Sequence, residues 1–195
     1  MSLFTALVPA PAALAHLEVA VAPLRATRRD LRWVRPERWH MTVVFLGDVP
    51  EPVVDDLVTG TRAAVAPLPA PVLQVAGVGQ FPAPPAPLRV LWAGVRGDTA
   101  RHVAAVQEVA RSCGVVLEHR DHVPHLTLAR ADRSSRRRSR TGPATGTGTG
   151  TGGDPLASYA GPALLVPALH VLRSRPGGAA YEVVARLPLR EPPSS

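Results

Sequence analysis

A tetrapeptide that occurs twice constrains this chain more than any other feature. His40-Met41-Thr42-Val43 and His125-Leu126-Thr127-Leu128 both read histidine, apolar, threonine, apolar. Each copy lies in a short run with strand propensity, and in extended backbone residues i and i+2 share a face. Each copy therefore presents an imidazole and a hydroxyl together, while Met41, Val43, Leu126 and Leu128 turn toward a core. Two such strands side by side would gather two histidines and two threonines on one surface. Histidine titrates near neutrality, so one ring can accept a proton while the other donates one. Threonine hydroxyls can hold nonbridging phosphate oxygens where negative charge builds. That is the minimum equipment for acid–base catalysis on a phosphate ester.

Around these motifs the pattern predicts strands and helices in alternation. Leu3 to Val8 reads as a strand, and from Pro11 the apolar residues Leu14, Leu17, Val21 and Leu24 recur at helical spacing to about Arg28. Leu31 to Val34 and Trp39 to Leu46 are expected strands, with a turn at Pro36-Glu37 between them and Gly47-Asp48 ending the second. Glu51 to Val65 reads as a helix with Val54, Leu57, Val58 and Val65 as its buried stripe. Val72 to Val78 and Val90 to Val95 are expected strands joined by a turn over Pro82 to Pro87. Asp98 is the expected cap of a helix that runs to Cys113 and stops at Gly114. After the strand from His125 to Ala129, Leu164 to Leu172 and Tyr181 to Leu187 form a hairpin around Pro176-Gly177-Gly178. The order implies two comparable α+β lobes, each carrying one histidine motif.

Composition narrows the chemistry. The chain has 195 residues, 46% of them hydrophobic, which suits one domain with a real core. All 22 basic residues are arginine. Without lysine, Schiff-base enzymes, P-loop nucleotidases and ligases that adenylate a lysine are excluded. Guanidinium, by contrast, binds phosphate through paired hydrogen bonds. The net charge of +7 is weak evidence for nucleic acid, because Arg133, Arg136, Arg137, Arg138 and Arg140 crowd into one low-complexity segment. The apolar start, Met1 to Leu24, contains Pro9, Pro11 and Glu18 and has no basic residue ahead of it. It matches neither a secretory signal nor a membrane span. With a single cysteine, Cys113, the expectation is a cytoplasmic protein with no membrane partner.

Other residues are weighed against their structural alternatives. His119, His122 and His125 form a His-x2-His-x2-His series, but Pro124 and the strand character scatter the rings, and no second ligand cluster accompanies them. No metal site is expected. His16, His102 and His170 fall in helix or strand patterns and receive no role. Arg130 follows the second motif; in a regular strand it has the parity opposite to His125, although a strand end or bulge could re-aim it toward a phosphate. Residues 131–155 change to arginine and serine and then to threonine and glycine, and are expected to be a disordered insertion. A tolerated insertion and an electrostatic arm for RNA are the two readings of it.

The chain resembles the two-histidine (2H) phosphoesterase superfamily, and within it the RNA 2′,3′-cyclic phosphodiesterases, also called 2′-5′ RNA ligases. The resemblance rests on Leu3-Phe4-Thr5-Ala6-Leu7, Leu31-Arg32-Trp33-Val34, Trp39 to Gly47, Gly77 to Pro82, Val90-Leu91-Trp92, Pro124 to Arg130 and Tyr181-Glu182-Val183. It implies one bilobal, pseudo-two-fold α+β domain over residues 1–190, with two antiparallel sheets and flanking helices around a cleft, and a tail at 191–195. It also implies hydrolysis of RNA 2′,3′-cyclic phosphate ends, or related cyclic nucleotides, to 2′-phosphates without metal or other cofactor. Carried over, His40 would be the proton donor and His125 the acceptor, with Thr42, Thr127 and Arg130 binding phosphate. The same site run in reverse would make a 2′-5′ linkage, and a non-catalytic RNA-binding module is the remaining alternative. A monomer is the default expectation.

Overall fold

The apolar periodicities become elements in the expected order. The computed structural model describes residues 2–118, 122–131, 156–175 and 181–191. Strand β1 (Leu3–Leu7) leads to helix α1 (Pro11–Thr27), which opens on Pro11 and buries Ala13, Leu17 and Val21 along one stripe. Then come β2 (Leu31–Trp33), a single 3-10 turn (Pro36–Arg38) and β3 (Met41–Gly47). Helix α2 (Glu51–Val65) buries Val54, Leu57, Thr61 and Val65, so Thr61 takes the place expected for Val58, which is only partly covered. Strands β4 (Val72–Phe81) and β5 (Val90–Arg96) follow, then α3 (Ala100–Ser112). Asp98 does support the start of α3: its Oδ1 accepts a hydrogen bond from the Ala100 N–H at 3.1 Å. The chain closes with β6 (His125–Ala131), β7 (Ala160–Leu165), β8 (Ala168–Arg173) and β9 (Glu182–Pro188). Among the described residues no helix is long and apolar enough to cross a membrane.

One expected strand proves to be two. The run from Leu164 to Leu172 breaks at Val166-Pro167, because Pro167 has no N–H to give a ladder. The Val166 N–H bonds instead to the Pro71 carbonyl, and the Pro167 carbonyl accepts from Leu189. The two pieces then go to different places, β7 beside β4 and β8 beside β1. The expected pairing of β8 with β9 is present. Its Pro176-Gly177-Gly178 turn lies outside the described residues, as do His119, the tail beyond Glu191 and all of the expected insertion except Ala131, which ends β6.

The sheet runs β7-β4-β5-β6-β3-β1-β8-β9, with β2 paired to the far end of β6. Two antiparallel halves are therefore one continuous path, joined where β3 meets β6 through the single pair Met41↔Leu126. The halves also exchange helices. Helix α1 packs on β7 and β4, while α3 packs on β3 and against α2. The lobes interlock rather than follow one another along the chain.

Both motif strands are bulged at the same place. Across β1–β3, Ala6 faces Thr42 and Thr5 faces Val44, so Val43 is the extra residue. Across β5–β6, Trp92 faces Thr127 and Leu91 faces Ala129, so Leu128 is the extra residue. A bulge resets alternation. Val43-Val44 and Leu128-Ala129 are consecutive buried pairs, and Phe45 and Arg130 swing to the face of Thr42 and Thr127. Thr5, fully buried, mends the first bulge: its hydroxyl accepts from the Val44 N–H at 3.1 Å. Replacing Thr5 with Val keeps the shape and orphans that N–H, so denaturant unfolding is expected to show a loss of roughly 1–3 kcal/mol.

Candidate active site

The β3–β6 junction builds the site. Because the pairing is antiparallel, the register through Met41↔Leu126 sets Thr42 toward His125 and His40 toward Thr127. Met41 and Leu126 point into the core with no exposed surface, so the other four side chains take the opposite face. All four line a cleft of 890 Å³, with Phe4, Phe45, Tyr181 and the arginines Arg32, Arg35, Arg38 and Arg130 around them. The structure thus brings together His40, His125, Thr42, Thr127 and Arg130. Arg130 does not have the opposite parity of a regular strand, because the Leu128 bulge turns it back.

The two imidazoles are held alike. His40 Nδ1 lies 2.8 Å from the Arg38 carbonyl, and His125 Nδ1 lies 2.6 Å from the Val123 carbonyl, in each case two residues upstream. A carbonyl only accepts, so Nδ1 carries the proton in both rings and Nε2 is left for the cleft. Each ring also rests edge-on against an aromatic: His40 on Tyr181 at 4.9 Å and 88°, His125 on Phe81 at 5.0 Å and 81°. Phe4 adds a contact to His40 and Trp92 one to His125. Trp92 is in turn seated over Gly79, whose missing Cβ leaves room for the indole. These supports were not assigned from sequence, although Phe4, Phe81, Trp92 and Tyr181 all fall in the segments that carry the resemblance. The Thr42 and Thr127 hydroxyls make no hydrogen bond within the protein among the described residues, which leaves them for a ligand.

Burial and neighbouring charge both bear on the histidines. Burial is the main cause that lowers the pKa of His40, and Arg38, His125 and Arg130 lower it further, against the Arg38 carbonyl that raises it. His125 is lowered by burial first and by Arg130, against the Val123 carbonyl. His122 is lowered mainly by burial, with His125 adding to it. Among the described residues no three histidine, cysteine or acidic side chains gather as metal ligands. His102, given no role, is a buried core histidine whose Nε2 lies 3.1 Å from the Pro69 carbonyl.

The family model for LigT like Phosphoesterase matches residues 8–92, a stretch that holds the first motif, the bulge after it and the β4–β5 support for the second histidine. The whole chain matches TT0787 of Thermus thermophilus with a TM-score of 0.68 and 25% identity, over 98% of this chain and 99% of that one. The family match covers under half of this chain, and it marks a similarity to the LigT like phosphoesterases. The second motif lies beyond the matched stretch. Escherichia coli LigT complexed with 3′-AMP shares that fold, with a TM-score of 0.61, 22% identity and 96% of each chain covered. Among curated relatives, the RNA 2′,3′-cyclic phosphodiesterase of Geobacillus stearothermophilus is 41% identical over 101 residues, 50% of this chain and 32% of that protein. That of Aeropyrum pernix is 35% identical over 103 residues, 51% of this chain and 57% of that protein. The match thus takes in 32% of the first relative's length and 57% of the second's.

The Arg130 charge lies close enough to depress both histidines. Arg130→Ala is expected to move both limbs of the kcat/KM–pH profile to higher pH, since each ring then holds its proton longer. Limbs that stay in place would mean that Arg130 does not face the imidazoles.

Proposed function

We propose that the protein hydrolyses RNA 2′,3′-cyclic phosphate ends to 2′-phosphates with its two histidines as acid and base. The observation that carries this reading is the matched pair of carbonyl-locked imidazoles, both offering Nε2 to one cleft floored by two unpaired threonine hydroxyls. The names of the curated relatives supply the substrate class.

In the proposed reaction His125 Nε2 takes a proton from water as the water oxygen forms its bond to phosphorus. The bond from phosphorus to O3′ breaks in line, and His40 Nε2 gives its proton to O3′. The product is a 2′-phosphate with a free 3′-hydroxyl, and solvent returns each histidine to its starting form. Thr42 and Thr127 donate to the nonbridging oxygens, and Arg130 balances their charge. Burial first, and then the charges of Arg38, His125 and Arg130, lowers the pKa of His40, and an anionic phosphate in the cleft would favour the protonated form that donates. The joining reaction uses the same groups in reverse, but solvent water favours hydrolysis. Phe45, 51% exposed at the cleft, offers a flat face to a base.

The test is an oligoribonucleotide with a 2′,3′-cyclic phosphate end, incubated with the protein in EDTA and resolved into 2′-phosphate, 3′-phosphate and ligated products. The expected product is the 2′-phosphate, and His40→Ala or His125→Ala each lowers kcat by roughly 10²–10⁴-fold. A 3′-phosphate, or substantial activity in either variant, would contradict the mechanism. A substrate with sulfur at the 3′ position separates the roles, because a thiolate departs without protonation. It should restore turnover to His40→Ala and leave His125→Ala inactive; the reverse pattern would exchange the two roles.

A further inference from the structure

Arg32 and Arg130 stand directly opposite each other across the antiparallel β2–β6 ladder. Opposed residues there have Cα atoms about 5 Å apart, and like charges in that relation repel. Neither guanidinium makes an ion pair or hydrogen bond with another group of the protein among the described residues. Arg35, just beyond β2, lines the same cleft and is equally unpaired. Glu37, the one carboxylate among the lining residues, bonds to none of the three. A fold that sets two arginines face to face without an acid is relieved when an anion lies between them.

One phosphate does not account for the cluster. Along β6 the functional side chains run His125, Thr127, Arg130, and β2 pairs only with the Arg130 end, beyond the bridge to β3. Arg32 therefore lies outward from the histidines along the cleft, while Arg35, which follows the Val34 N–H bond to the Leu128 carbonyl, comes back along its side toward Thr127. Arg130 depresses both imidazoles, whereas neither Arg32 nor Arg35 contributes to either. The guanidinium fork suits the two free oxygens of a phosphodiester.

We infer that Arg32, set outward of Arg130, and Arg35, along the side of the same cleft, form a second phosphate subsite for the phosphodiester on the 5′ side of the terminal nucleotide. The inference rests on the cyclic phosphodiesterase reading and sharpens its substrate class: the preferred substrate is an RNA end of at least two nucleotides, not a lone cyclic nucleotide.

The experiment compares kcat/KM for a nucleoside 2′,3′-cyclic phosphate, the same compound with a 5′-phosphate, and a dinucleotide ending in a cyclic phosphate. The native chain, Arg32→Ala, Arg35→Ala and the double variant are each measured at two salt concentrations. The native chain should favour the dinucleotide over the bare cyclic nucleotide by about tenfold, the worth of one good charged contact. The double variant should lose most of that preference, and its dinucleotide rates should depend less on salt, by about 0.7 in logarithmic slope per lost contact. Arg32→Lys, which keeps the charge without the fork, should retain part of the preference. Arg32→Ala should not lower the melting temperature of the free protein, since it removes a repulsion, and a large drop would assign Arg32 a structural role instead. Equal losses on all three substrates, or no advantage for the dinucleotide, would overturn the subsite. A 5′-phosphate that serves as well as the dinucleotide would overturn its assignment to an internal phosphodiester. Turnover of none of the three would overturn the phosphodiesterase reading itself.

Discussion

Everything at the cleft depends on one backbone pairing, Met41 with Leu126. It is the only residue pair through which β3 and β6 join among the described residues, and both side chains are fully buried. The pairing does two things at once. It seals two half-sheets into one, and it forces the residues on either side of each apolar partner onto the opposite face. Since those neighbours are His40, Thr42, His125 and Thr127, a packing requirement of the core becomes a geometry for chemistry. The interlocked helices protect the junction: α1 sits on one half and α2 and α3 on the other, so the halves cannot slide without disturbing both.

The same solution is built twice and then made directional. Each histidine gives its Nδ1 proton to the carbonyl two residues upstream, leans on an aromatic edge, and is followed by a bulge one residue past its threonine. The copies part at the residue re-aimed by each bulge. One half places Phe45 at the cleft and the other Arg130, an aromatic face against a cation. A symmetric acid–base pair cannot by itself decide which way a substrate lies. In the proposed reaction an apolar flank would take the base and a cationic flank the phosphates.

The histidines, the threonines and the burial of Met41, Val43, Leu126 and Leu128 were legible in the sequence because strand alternation is a local rule. So were the helices, whose apolar spacing and punctuation by Pro11 and Gly114 are equally local. What alternation could not give was its own interruption. A bulge depends on the partner strand, so the face of Arg130 and the exposure of Phe45 become visible only once β5 and β1 are in register. The split at Pro167 was within reach of a local rule, since a proline in the middle of an apolar run argues against one continuous strand. That β7 and β8 then travel to opposite parts of the sheet was not, because it is a matter of topology. The aromatic supports of the two rings come from β1, β4, β5 and the residue before β9, and only the folded chain gathers them.

The central claim is that both imidazoles keep their proton on Nδ1 in the free protein and turn Nε2 toward one anion. Long-range nitrogen–proton NMR of the histidine rings, read without and with inorganic phosphate, measures it directly. The account predicts the Nδ1–H tautomer for His40 and His125 in the free protein, and a rise in the pKa of both when phosphate is added. An Nε2–H tautomer at either ring, or a phosphate response at only one, would contradict it.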